Sequence, residues 1–91
     1  MDFEWDEAKN AANIAKHGVG FATASRIFEG PVVSWIDDRN DYAEVRERSI
    51  GVVEGILFLA VIHTDRDGRC RIISARRASR AERRRYEEAI R

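Results

Sequence analysis

The hydrophobic period of this 91-residue chain switches at Gly30-Pro31 and switches back at Ser79, and these two switches restrict the fold more than any other feature. Before the first, Asp6 is placed to cap an alanine-rich helix, EAKNAANIAKH, which Gly18 stops. A second short helix starts near Phe21, with Phe21, Ala24 and Phe28 on one face until Gly30 and Pro31 end it. Beyond them, segments 32–36, 46–53, 56–64 and 69–77 are rich in β-branched residues and are separated by DDRND, Glu54-Gly55 and DRDG. Turns this short join antiparallel neighbours, which makes the four segments a meander. Ser79 then opens a last helix running through Tyr86 to Ile90, with Glu82 at the capping-box position of Ser-Arg-Ala-Glu. The expected fold class is α+β: two N-terminal helices, an antiparallel four-stranded meander with a candidate short strand at 3–5, and a C-terminal helix.

Turn length sets register. With Glu54-Gly55 and residues 65–68 as the loops, Val53 pairs with Ile56 and Thr64 with Arg69. This aligns Arg46, His63 and Cys70 in a row across three strands, and Glu47, Ile62 and Arg71 in a row on the other face. A slip of one residue would dissolve both rows, because side chains alternate with a period of two.

Length and composition bound the rest. Ninety-one residues make one domain, 1–91, near the lower end of sizes that sustain a core without disulfides or metals. The apolar share, 44%, is sufficient to fold. The acidic start MDFEWDEAKN has no apolar run behind it and reads as no secretory signal, and 56–62 is far too short to cross a bilayer. A lone cysteine, Cys70, excludes an internal disulfide and a multi-cysteine zinc site; it reads as a small, inert, buried residue. A cytoplasmic protein without a cofactor is the simplest reading. The net charge of zero conceals a division: residues 1–65 hold six Lys or Arg and twelve acids, whereas 66–91 hold ten Arg, no Lys and four acids. Arginine suits bidentate phosphate and carboxylate recognition, so the C-terminal third is expected to meet nucleic acid or an acidic protein.

Three stretches, FEWDEAKNAANIAKHGVGFATA, RERSIG and RIISARRASRAERRRYEE, resemble the BrnT family of toxins from type II toxin–antitoxin systems, in the same order and over nearly the whole chain. The resemblance implies a RelE-like fold and a ribonuclease activity that arrests translation. It also implies a BrnA-like antitoxin in a hetero-oligomer with the toxin, whose DNA-binding portion lets the complex reach operator DNA. RelE-like nucleases vary in their catalytic residues, so the resemblance brings no fixed catalytic set with it.

Metal-independent RNA cleavage needs a base for the 2′-hydroxyl, cations for the phosphate and an acid for the departing oxygen. The candidates are His63 with Arg46 and Arg48, Arg76 and Arg77 at the end of the last strand, Glu47, Lys16, His17 and Tyr86. Arg71, Arg80, Arg83 and Arg84 are candidate RNA-binding residues. Each has a bland counterpart: His63 as a satisfied strand histidine, Lys16 and His17 as residues that favour a helix C-terminus, Glu47 as half of an ion pair, Tyr86 as core. Arg76 and Arg77 are adjacent on a strand, so at most one of them faces a given site. The residues alone leave open a nuclease, a non-catalytic arginine-rich binding module, and an oligomer pairing acidic and basic segments.

Overall fold

A computed structural model describes residues 1–39 and 43–91. In chain order the elements are β1 (Phe3–Glu4), α1 (Glu7–His17), α2 (Phe21–Ser25) leading into a 3₁₀ turn (Arg26–Glu29), β2 (Val33–Ile36), β3 (Glu47–Val53), β4 (Leu57–Arg66), β5 (Arg69–Arg77) and α3 (Arg80–Ala89). The expected DDRND turn extends into residues 40 and 41, outside the described residues.

Local chemistry sets the helix bounds. Asp6 accepts hydrogen bonds from the Ala8 and Lys9 backbone N–H groups at 2.8 and 3.1 Å, supplying partners that the first turn lacks. Gly18 closes α1 in the left-handed region, φ 72°, a conformation that opposes a side chain. At α3 the expected capping box is complete: Ser79 Oγ accepts from Glu82 N–H at 3.1 Å, and Glu82 Oε1 accepts from Ser79 N–H at 2.8 Å.

The sheet order is β1-β5-β4-β3-β2. The meander from β2 to β5 is antiparallel, and β1 adds beside β5 in parallel, so among the described residues the sheet has five strands and is mixed. Its register differs from the expected one. Val53 pairs with Leu57, leaving three residues rather than two in the first hairpin. The second turn is only Asp67-Gly68, with φ 55° and 79°, so β4 runs on to pair Arg66 with Arg69. A bulge between Ile62 and His63 shifts the alignment again. Glu47, not Arg46, therefore lies opposite His63, Cys70 lies opposite Asp65, and Ile62 lies between Arg48 and Ser74 rather than Glu47 and Arg71.

Alternation along the strands separates two cores. Phe21, Ala24 and Ile27 pack on Leu59, Val61, Ile72 and Ala75 on one face. Tyr86 of α3 packs with Ile50 and Ala60, flanked by Trp35 and Phe58, on the other. The β5 edge beyond β1 is closed by a side chain: Asn13 Nδ2 donates to Ala75 O at 2.7 Å and Ala75 N–H donates to Asn13 Oδ1 at 3.2 Å. The same Nδ2 reaches Val19 O at 2.8 Å, which ties α1, the following loop and β5 together. Among the described residues no helix is long and apolar enough to cross a membrane.

Candidate active site

Lys16 and His17 follow Asn13 by three and four residues and so share its side of α1, one turn further on. With Asn13 fastened to β5, that last turn forms one wall of a cleft of about 290 Å³. Ala60 and Ile62 of β4 and Ser74, Ala75 and Arg76 of β5 also line it, as does Arg39, which follows β2. Four cationic or ionisable side chains, Lys16, His17, Arg39 and Arg76, thus converge from three separate parts of the chain on one concave surface.

Behind two of them runs a line of alternating charges. Arg76 donates from Nη1 to Glu82 Oε1 at 2.7 Å and from Nη2 to Glu82 Oε2 at 3.0 Å. Glu82 Oε2 also accepts from Arg48 Nη1 at 3.4 Å, and Arg48 Nη2 lies 3.8 Å from Asp37 Oδ1. Asp37 in turn holds Arg39 through two hydrogen bonds, 2.7 Å from Nε and 3.1 Å from Nη2. Trp35 lies beneath Arg48, with 5.7 Å between the guanidinium carbon and the ring centre.

The protonation states follow from these contacts. Hydrogen bonds from Arg76 lower the Glu82 carboxyl to about 2, against the opposing effect of burial. The Arg39 hydrogen bond likewise lowers Asp37, again against burial. Glu82 raises the already high Arg76 value, while the positive charge of Arg39 works in the other direction, as expected for two guanidinium groups close enough to repel. Both carboxyls are anions at neutral pH and both arginines are cations.

The structure brings together Lys16, His17 and Arg76 of the candidates named from sequence, with Arg48 joined to them through Glu82. The others go elsewhere. His63 is on the α1/α2 face: Ser49 Oγ is 2.7 Å from its Nε2, Phe28 meets its ring edge-on at 5.1 Å, and burial lowers its pKa. Glu47 and Cys70 line a separate cavity of about 200 Å³ with it. Burial pushes the Cys70 thiol up to about 11, which keeps it protonated. Arg46 lies 3.6 Å from Glu44, and Arg71 donates to Glu4 at 2.8 Å. Arg77 is exposed and alternates with Arg76, so it sits on the opposite face. Tyr86 is buried, and its hydroxyl donates to Pro31 O at 2.9 Å. On α3, Arg80 and Arg84 are exposed, while Arg83 stacks over Phe58 at 4.0 Å and lies 3.6 Å from Glu87. Sequence reading passed over Asp37, Arg39, Ser74 and Glu82 as site residues. Glu82 had a signal in its capping-box position, but one that pointed to the helix alone; Asp37 and Arg39 lie at a turn, where charge is ordinary.

The family model described as "Ribonuclease toxin, BrnT, of type II toxin-antitoxin system" matches residues 5–82. The chain belongs to the BrnT family of ribonuclease toxins. The crystal structure of the Brucella abortus ribonuclease toxin BrnT superposes with a TM-score of 0.64 at 32% sequence identity, covering 88% of this chain and 99% of that one. None of the curated proteins matches. A BrnT toxin, as part of a type II system, acts on RNA and has an antitoxin partner. The matched residues include β2 to β5 and the whole of α1, and thus every residue of the cleft.

Proposed function

We propose that the cleft between α1 and β5 is where this BrnT-family protein cleaves RNA. The observation that carries the reading is the convergence of Lys16, His17, Arg39 and Arg76 on one surface. An RNA phosphodiester seated there meets cationic donors that neutralise charge as it builds on the phosphoryl oxygens. His17 transfers protons: the 2′-hydroxyl loses its proton, its oxygen attacks the adjacent phosphorus, and the bond to the 5′-oxygen breaks as that oxygen gains a proton. The products are a 2′,3′-cyclic phosphate and a 5′-hydroxyl end. The cleft's own groups cover these roles, so the chemistry is read as metal-independent.

RelE-like architecture, translation arrest as the outcome, action in the cytoplasm, and a BrnA-like antitoxin in a hetero-oligomer that reaches operator DNA complete the proposal. They rest on family membership together with the basic C-terminal third. The decisive experiment incubates the purified protein with RNA and maps the new ends, alongside His17→Ala. Cyclic phosphate ends from the wild type and their loss in the variant support the site. RNA that is bound but left intact points to a binding module instead.

A further inference from the structure

Glu82 makes more contacts than a capping residue needs. A capping box asks of its third helical residue only an acceptor for the N-cap N–H, which a glutamine supplies equally well. Here each carboxylate oxygen takes two donors: Oε1 accepts from Ser79 N–H and Arg76 Nη1, and Oε2 accepts from Arg76 Nη2 and Arg48 Nη1. These contacts fill about four acceptor positions, the capacity of a carboxylate. Glu82 is only 9% exposed, and a charge so nearly buried is stable only when its partners are in place.

The geometry at Arg76 shows what the arrangement leaves over. Glu82 occupies the end of the guanidinium formed by Nη1 and Nη2, and Arg77 O takes a further contact from Nη1 at 3.1 Å. Among the described residues, the pair of parallel donors left over is the Nε and Nη2 edge, the fork that matches two oxygens of a phosphate. At the other end of the line, Arg48 connects Glu82 to Asp37, and Asp37 holds Arg39. The two arginines that line the cleft are thus joined by a continuous line of ion pairs through Glu82, Arg48 and Asp37.

We infer that Glu82 is a positioning residue for RNA cleavage: it presents the free edge of Arg76 to the scissile phosphate and, through Arg48 and Asp37, sets its separation from Arg39. This rests on the cleft being the site of cleavage. Holding an anion against a phosphate-binding arginine weakens ground-state attraction for RNA. What it adds is alignment, because donors already in place need no reorganisation as charge develops. A residue of this kind governs kcat more than affinity, which separates it from a residue that merely keeps α3 folded.

The test is Glu82→Gln in the full chain, which keeps an acceptor for Ser79 N–H and removes the charge. Circular dichroism checks that α3 remains folded. The expected result is a fall in kcat of roughly ten- to a hundredfold from misplaced donors. RNA affinity should be unchanged or tighter, and log Kd should become steeper in log salt by about one unit, as one more cation is left free for phosphate. Equal losses in kcat and affinity, or an unchanged kcat, would overturn the inference. Arginine side-chain ¹⁵N spectra give a readout independent of activity: restricted Arg76 Nη rotation in the wild type should be released in Glu82→Gln, and restriction that persists overturns positioning. Should that variant not fold, Arg48→Met breaks the line while leaving the Glu82–Arg76 contact and the cap; it should lower kcat with Arg76 still restricted, and a retained kcat counts against the inference. A wild type that cleaves no RNA refutes the proposed function, while the spectra still decide whether Glu82 holds Arg76.

Discussion

On the α1/α2 side, β4 contributes Leu59, Val61 and His63; on the α3 side it contributes Ala60, Ile62 and Thr64. Leu59 and Val61 are sealed under Phe21, Ala24 and Ile27, and the His63 imidazole beyond them, at the wall of its separate cavity, is largely buried against Phe28 and Ser49. The second set is covered by Tyr86 at one end only, and past that end the face carries the Arg76–Glu82–Arg48–Asp37–Arg39 line. Two residues adjacent in a strand can therefore belong to a packed apolar core and to a charged cleft. Side-chain identity decides little until the face is known: histidine is core on one side, and alanine and isoleucine floor the cleft on the other.

The sharpest way to break this comparison is a pair of neighbouring substitutions. Arg76→Ala should slow RNA cleavage by about a hundredfold or more, the scale of losing one preorganised donor. Arg77→Ala should leave the rate nearly unchanged, since Arg77 sits on the opposite face. Gel-based cleavage rates on folded proteins decide it, and equal losses would refute the division.

A second substitution probes how tightly the apolar face is packed. A Cβ at Gly51 would lie 2.7 Å from Ile27 Cβ and 3.2 Å from Val32 Cγ1. Gly51→Ala should destabilise the fold by about 1–3 kcal/mol through overpacking, measured by urea denaturation. Cleavage per folded molecule should persist.

Acid should separate the faces in two stages. Burial holds the folded His63 below 6.5, so the folded state binds fewer protons than the unfolded chain; the stability this contributes is complete above 6.5 and is lost as pH falls below it. Glu82 is lowered from 4.5 to about 2, so its contribution is complete above 4.5 and is lost as pH falls toward about 2. Asp37 moves in the same direction. Melting temperature against pH should show both stages, with His63→Gln removing only the upper one and Glu82→Gln removing much of the lower.

The smallest effect is expected from Tyr86→Phe. It removes the hydrogen bond to Pro31 O and should cost about 1 kcal/mol by thermal or urea unfolding, with cleavage unchanged. A large loss of activity would place the phenol in the chemistry after all.

The boundaries of α1 and α3 were legible because Asp6, Gly18, Ser79 and Glu82 act on backbone groups within four residues of themselves. The meander was legible too, from β-branched runs between short turns. Register was not. Three residues rather than two in the first hairpin moved His63 from beside Arg46 to beside Glu47, while two rather than four in the second put Cys70 opposite Asp65 and the bulge at Ile62/His63 put Ser74 opposite Ile62.

Of the cleft, Lys16, His17 and Arg76 could be named in advance because their residue types carry the chemistry. That they meet could not, since His17 and Arg76 are 59 positions apart in the chain and the Asn13 contacts to β5 bring the end of α1 there. The sequence by itself determined which segments are helix and strand, where the helices stop, and that the C-terminal third is basic. The tertiary structure alone decided which face each strand residue occupies and which charges are neighbours. Caps and periods act over a turn or two of chain, whereas a face is set by the summed offsets of two hairpins and a bulge, each of which can invert it.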